Sequence, residues 1–145
     1  MSSDLKASSS ITINASADSI WNTITNPEKI KQFLYGTETE TDWKVGSSIK
    51  FSGNYNGTEY HDKGNMLENK PNELLKYDYW SSMSGTEDKP ENYFIVSYIL
   101  EKVDEHSTKF TWLQTNMASQ QSVEHTEKGL PSMLAEIKRI SEENS

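Results

Sequence analysis

Between Thr37 and Met117 the chain alternates apolar and polar residues almost without a break, and a single long stretch of helical spacing follows. A sheet buried on one face needs a cover, and here one helix has to supply it. The alternating part divides at turn signals. Asn56 and Gly57, between Tyr55 and Tyr60, form the dipeptide that most favours a two-residue hairpin. "KPNELLKYDYW" puts Leu75, Tyr77 and Tyr79 on one face, and "ENYFIVSYILEKV" does the same for Phe94, Val96, Tyr98 and Leu100. "STKFTWLQTNM" matches these with Phe110, Trp112 and Gln114 across a tight reversal at "DEHS". "SSMSGTEDKPE", with Gly85 and Pro90, reads as a longer polar loop. In "TDWKVGSSIKFSG", Val45 and Gly46 read as a tight entry into a strand carrying Ile49 and Phe51, with Trp43 just before the turn at the sheet's edge.

The ends of the chain complete the pattern. "SSITINA" alternates with a β-branched bias and reads as a first strand. "SADSIWNTITNPEKIKQFL" changes to helical spacing: Ser16 is a candidate N-cap, and Ile20, Trp21 and Ile24 form a stripe. Pro27 stops that helix while permitting a new first turn, so Ile30, Phe33 and Leu34 mark a second short helix. From Ser119 to Glu143, Leu130, Met133, Leu134, Ile137 and Ile140 share one helical face. Gly129 and Pro131 predict a kink or a weakened first half there. The expected fold is α+β: a curved antiparallel sheet of about six or seven strands wrapped around a long C-terminal helix, with two short helices after the first strand, a helix-grip architecture. A single domain over residues 10–143 is expected to follow a flexible N-terminus, residues 1–9.

One helix is narrow against such a sheet, so rings from the strands fill the rest of the concave face or a cavity remains. Only 33% of the residues are hydrophobic, but 4 Trp, 7 Tyr and 4 Phe supply large rings. The candidate cavity-lining, ligand-binding residues are Trp43, Phe51, Met66, Tyr77 and Tyr79 from the first strands and Phe94, Val96, Tyr98, Phe110, Trp112 and Gln114 from the last two. The helices add Phe33, Leu130, Met133, Leu134 and Ile137. Polar tips that would fix a ligand belong to Tyr77, Tyr79, Tyr98 and Gln114, and Phe33, Leu34 and Tyr35 are expected at the rim with Met83 opposite.

Charge and composition remove several functions. The formal net charge is −8 and no basic stripe interrupts it, which argues against nucleic acid. No apolar run approaches the about 20 residues that span a bilayer, and "MSSDLKASSS" is not signal-like, so no membrane partner and a cytoplasmic location are expected. With 0 cysteines there is no thiol nucleophile or cysteine zinc site. His61, with Glu59 and Asp62, is the tightest cluster of ligand-type residues, but alternation sends Asp62 to the opposite face, so no metal and no other cofactor is expected. Continuing the period from Gly64 and Met66 places Asp62 and Tyr60 on the inner face. No catalytic residue is assigned; a cavity enzyme would need Asp62 or His61 facing the cavity near Tyr79.

The order of "ITINASADSIWNTITNPEKIKQFL", "DWKVGSSIKF", "GNMLENKPNELLKYDYW", "YILEKVDEHSTKFTWLQ" and "GLPSMLAEIKRI" resembles the homologues of the C-terminal domain of the heat-shock protein 90 ATPase activator, within the START-related, birch-pollen-allergen-like (SRPBCC) superfamily. The resemblance spans about residues 10–142 and implies a helix-grip fold with a hydrophobic cavity between sheet and C-terminal helix. A fold of this kind hosts many functions. The activator carries an additional N-terminal domain for binding the chaperone, which these 145 residues cannot form, so a chaperone partner ranks below a hydrophobic small molecule. Family members usually have Trp after the glycine of the last motif, where this chain has Leu130 and Pro131, so local packing there is expected to differ. Three readings follow in order: a binding protein for a hydrophobic or aromatic small molecule, a co-chaperone-like interaction module, and a cavity enzyme of cyclase or hydrolase type.

Overall fold

In the computed structural model, which describes residues 4–55, 57–82 and 85–143, the alternating stretches form seven antiparallel strands. They are Ala7–Ile13 (β1), Glu38–Glu40 (β2), Ser48–Tyr55 (β3), Thr58–Lys70 (β4), Leu74–Tyr79 (β5), Phe94–Asp104 (β6) and Ser107–Thr115 (β7). The spatial order is β1-β7-β6-β5-β4-β3-β2, so β2 to β7 form a meander and β1 pairs with its far end. The expected matches hold: Val96 faces Gln114, Tyr98 faces Trp112 and Leu100 faces Phe110. Tyr55 pairs with Thr58, which puts the β3–β4 reversal at the expected hairpin, although Asn56 itself lies outside the described residues.

The first strand begins earlier than expected. Ala7, Ser8 and Ser9 pair with Gln114, Leu113 and Trp112, which brings the last three residues of the supposed flexible segment into the sheet. Ala7 is buried with Met117 and Val123 in a small satellite cluster, so apolar contact as well as backbone pairing fixes it.

Two glycines shape the curve. Gly46 has φ +91°, where glycine is favoured, and its N–H bonds the Met66 carbonyl at 2.9 Å at the entry to β3. At Gly64 a Cβ would lie 1.7 Å from the Asp78 carbonyl oxygen, so only a glycine lets β4 and β5 approach there. The register shifts between Met66 and Glu68, just past that contact. Trp43 also has a positive φ, 66°; its N–H bonds Thr41 Oγ1 at 3.3 Å, and its carbonyl accepts from Asn69 Nδ2 at 2.7 Å.

The short helices are Ala17–Thr25 (α1) and Pro27–Phe33 (α2). Ser16 caps the first through the Ser19 N–H, and Asn26 ends it while capping the second through the Glu28 N–H. The long helix is Gln120–Glu143 (α3), and it runs on through Pro131 instead of breaking. Pro131 lies on its exposed side, where water can serve the Glu127 carbonyl that proline leaves without a helical donor. The second half is the anchored half: Leu130, Leu134, Ile137 and Ile140 are buried, against Val123 alone before Gly129. Ser141 and Thr23 hydroxyls meet at 2.9 Å inside, and the Asn14 N–H bonds Glu142 Oε2 at 2.8 Å, tying α1 and the end of β1 to α3.

Candidate functional site

Where the second half of α3 crosses the sheet, the concave face is packed shut. Phe33, Met66, Phe110, Leu130, Leu134 and Ile137 belong to one core cluster and are each at most 1% exposed. Tyr98 and Trp43 border only a gap of about 10 Å³. These eight residues, expected on a cavity wall, lie in the core cluster or pack against it. Aliphatic side chains of α3 and the α1–α2 pair interdigitate with the rings and leave no room for a ligand.

The space is at the other end, beneath the first half of α3. A cavity of about 320 Å³ is walled by Phe51, Tyr77, Tyr79, Phe94, Val96 and Trp112, with Gln114 and Met133 completing the expected set. Leu34 and Tyr35 form part of its rim, as their position after α2 suggested; Phe33, one residue earlier, turns into the core. Tyr35 is 68% exposed, and its hydroxyl meets Ser132 Oγ of α3 at 3.1 Å across the rim. Met83, expected opposite, lies outside the described residues.

Thr37, His125, Thr126 and Gly129 also line this cavity, and reading for apolar periodicity missed them. Thr126 and Gly129 continue the Leu130–Met133 stripe one turn toward the start of α3, so helical spacing extended to polar residues would have found them. A Cβ at Gly129 would meet nothing within 4 Å; the missing side chain helps keep the space open. A second, larger lobe of about 580 Å³ shares Phe94, Gln114, His125 and Thr126 with the first. Its remaining wall is largely polar, with Ser81, Thr86, Glu91, Asn92, Asn116 and Ser122.

The rings of the wall form a connected series. Phe94 stacks on Tyr79 at 5.0 Å, Tyr79 touches Phe51 at 5.0 Å, and Phe51 touches Tyr77 at 5.7 Å. Tyr77 and Tyr98 bond hydroxyl to hydroxyl at 2.7 Å, and burial pushes both phenols well above their ordinary pKa. Tyr79 donates to the Asp62 carboxylate, which also accepts from the Ser82 N–H at 3.0 Å. Burial first, and then the Asp62 charge, raise the Tyr79 phenol strongly. Asp62 is 6% exposed on the inner face, as alternation predicts, whereas His61 points to solvent and stands 3.9 Å from Glu59. Asp62 thus touches the cavity wall only through Tyr79 and does not itself line the cavity, and His61 faces away from it. Among the described residues no three His, Asp or Glu side chains converge, and no helix is long and apolar enough to cross a membrane.

A curved sheet gripping one long helix, with an unfilled ring-walled space at one end, defines a helix-grip protein of the START-like class. The model of the family described as "Activator of Hsp90 ATPase homolog 1-like protein" matches residues 14–142, and the chain belongs to that family. A solution structure of a Cytophaga hutchinsonii protein is similar at 32% identity and TM-score 0.82, covering 99% of this chain and 98% of that one. The Aha1 dimer from Colwellia psychrerythraea is similar in fold at 20% identity and TM-score 0.72, covering 92% and 93% of the two chains. An HSP90 activator from Plasmodium falciparum is similar in fold at 17% identity and TM-score 0.73, covering 94% and 95%. No curated protein matches the chain by sequence.

Proposed function

We propose that this protein binds a small apolar or aromatic molecule in the cavity between its sheet and the first half of α3. The observation that carries the reading is a space of about 320 Å³ walled by six apolar or aromatic side chains of β3, β5, β6 and β7 in a molecule whose core is otherwise packed. That volume lies at the lower end of the range for small-molecule sites, about 300–1,000 Å³. A few inward polar groups among many apolar ones are the usual makeup of such a site.

The test uses Nile red, an uncharged aromatic dye whose emission rises in apolar surroundings. The wild-type protein should bind it saturably and quench tryptophan emission through Trp112. Gly129→Phe should abolish both signals while keeping the native circular dichroism, because the new ring enters open space at the cavity wall. Undiminished binding by Gly129→Phe, or no binding by the wild type, would sink the reading.

Family membership supports a second reading, docking to a chaperone, since the Plasmodium falciparum structure of the same fold is described as an HSP90 activator. Adding the protein in excess to Hsp90 and measuring ATP hydrolysis decides it; an unchanged rate discards it.

A further inference from the structure

Gln114 stands where the two lobes meet and contributes to the wall of both. It is 7% exposed, so little of the residue meets bulk water. The orientation of that amide follows from chemistry. An indole N–H can only donate, and Trp112 Nε1 lies 2.9 Å from Gln114 Oε1, so the oxygen must face Trp112 and the NH2 group the other way. One of its two N–H groups meets Met117 Sδ at 3.4 Å, a weak acceptor. The second has no partner among the described residues. A buried donor left in this way is costly unless something entering the site accepts from it.

The charge around the neck narrows the choice of acceptor. Among the described residues neither lobe has a Lys or Arg in its wall; Glu91 lines the larger lobe, Asp62 stands behind Tyr79, and His125 is the one imidazole. A carboxylate entering the ring-walled lobe would shed its water and meet no fixed cation among the described residues. A neutral oxygen meets no such opposition.

We propose that Gln114 selects the ligand: its free N–H makes the cavity prefer an uncharged aromatic molecule bearing an acceptor oxygen, such as an aryl ketone, over a carboxylate or a hydrocarbon of the same shape. The ring system lies against Phe51, Tyr79 and Phe94, the oxygen sits at the neck, and any polar extension continues into the larger lobe. This rests on the binding reading above and names the ligand class of that same site.

Three naphthalene derivatives of similar size form the test: acetylnaphthalene, ethylnaphthalene and naphthoate, each titrated against bound Nile red at neutral pH. In the wild type the ketone should bind about three- to tenfold more tightly than the hydrocarbon, the range one hydrogen bond allows, and naphthoate should bind most weakly. Gln114→Glu keeps an acceptor for Trp112 and removes the amide donor; Gln114→Leu removes both. In each the ketone's advantage should vanish, and in Gln114→Leu the hydrocarbon should bind as before. The wild-type series decides the selectivity even if a variant fails to fold, and the variants assign it to Gln114. If Nile red binds but ketone and hydrocarbon compete equally, or naphthoate competes best, the selection is wrong while the binding reading stands. A ketone preference that survives in a folded variant also overturns the role of Gln114. If neither dye nor naphthalene binds the wild type, both proposals fall.

Discussion

Asp62 is a carboxylate taken out of water, and the groups that compensate it are three donors from other parts of the chain: the Tyr79 hydroxyl on β5, and the Ser82 N–H and hydroxyl just beyond it. Asp62→Ala strands the Tyr79 hydroxyl in the cavity wall, whereas the exposed Ser82 can turn its donors to water. The expected cost is about 1–3 kcal/mol in urea denaturation, the range for leaving buried donors unpaired, and a midpoint unchanged from wild type would contradict it. The phenols give a pH dependence whose sign is set by burial. Tyr77, Tyr79 and Tyr98 all have folded pKa values raised above the ordinary 10, so the fold keeps them protonated. Stability from that source is whole below about pH 10 and is lost as the pH climbs past it, because the unfolded chain releases protons first. These three should therefore ionise only in a cooperative alkaline transition that also removes the native circular dichroism. An absorbance titration in which all 7 tyrosines ionise reversibly with the spectrum intact would count against it.

At the scale of elements, α3 has two halves with different work. Its second half is core, and its first half roofs a space with Thr126, Gly129 and His125. Gly129 weakens the helix there, and a Cβ on it touches nothing, so Gly129→Ala should raise stability by about 0.8–1.0 kcal/mol, the helix-propensity difference alone. A thermal melt that moves downward instead would mean that a packing contact is being overridden. This division also explains how much could be read in advance. Strand pairing was legible down to Val96 with Gln114 and Tyr98 with Trp112, because period two assigns faces and the reversal at Asp104–Ser107 assigns register. The strand side of the cavity was legible because large rings mark it. The helix side was not: a cavity is defined by what fails to fill it, and Thr126 and Gly129 carry no apolar signal. Depth was hidden as well. Periodicity says that Phe110 and Tyr98 face inward, but only packing against Leu134 and Ile137 says that they face protein and not a ligand. Gly129 and Pro131 predict a kink or a weakened first half; the helix continues through Pro131, whose place on the exposed side makes the missing bond tolerable.

On the scale of the whole molecule, the fold keeps the residues that hold it together apart from those that leave it open, although both lie on one helix. Met133 and Ile137 are one turn apart on α3, yet Met133 is half-buried in the cavity wall and Ile137 is 0% exposed in the core. Truncating Ile137 leaves a void that its neighbours cannot fill, so Ile137→Ala should cost about 2–5 kcal/mol. Met133→Ala enlarges a space that already exists and gives up only partial burial, so it should cost well under half as much while weakening Nile red binding more than any change in stability explains. Measuring both variants by urea denaturation and dye titration separates fold from site. If Met133→Ala proves as destabilising as Ile137→Ala and leaves dye binding untouched, the cavity end of the molecule is merely a second part of its core. If the two effects part as expected, the single helix grips the sheet with one half and leaves a chamber under the other, which is the physical basis for a binding function in a chain this small.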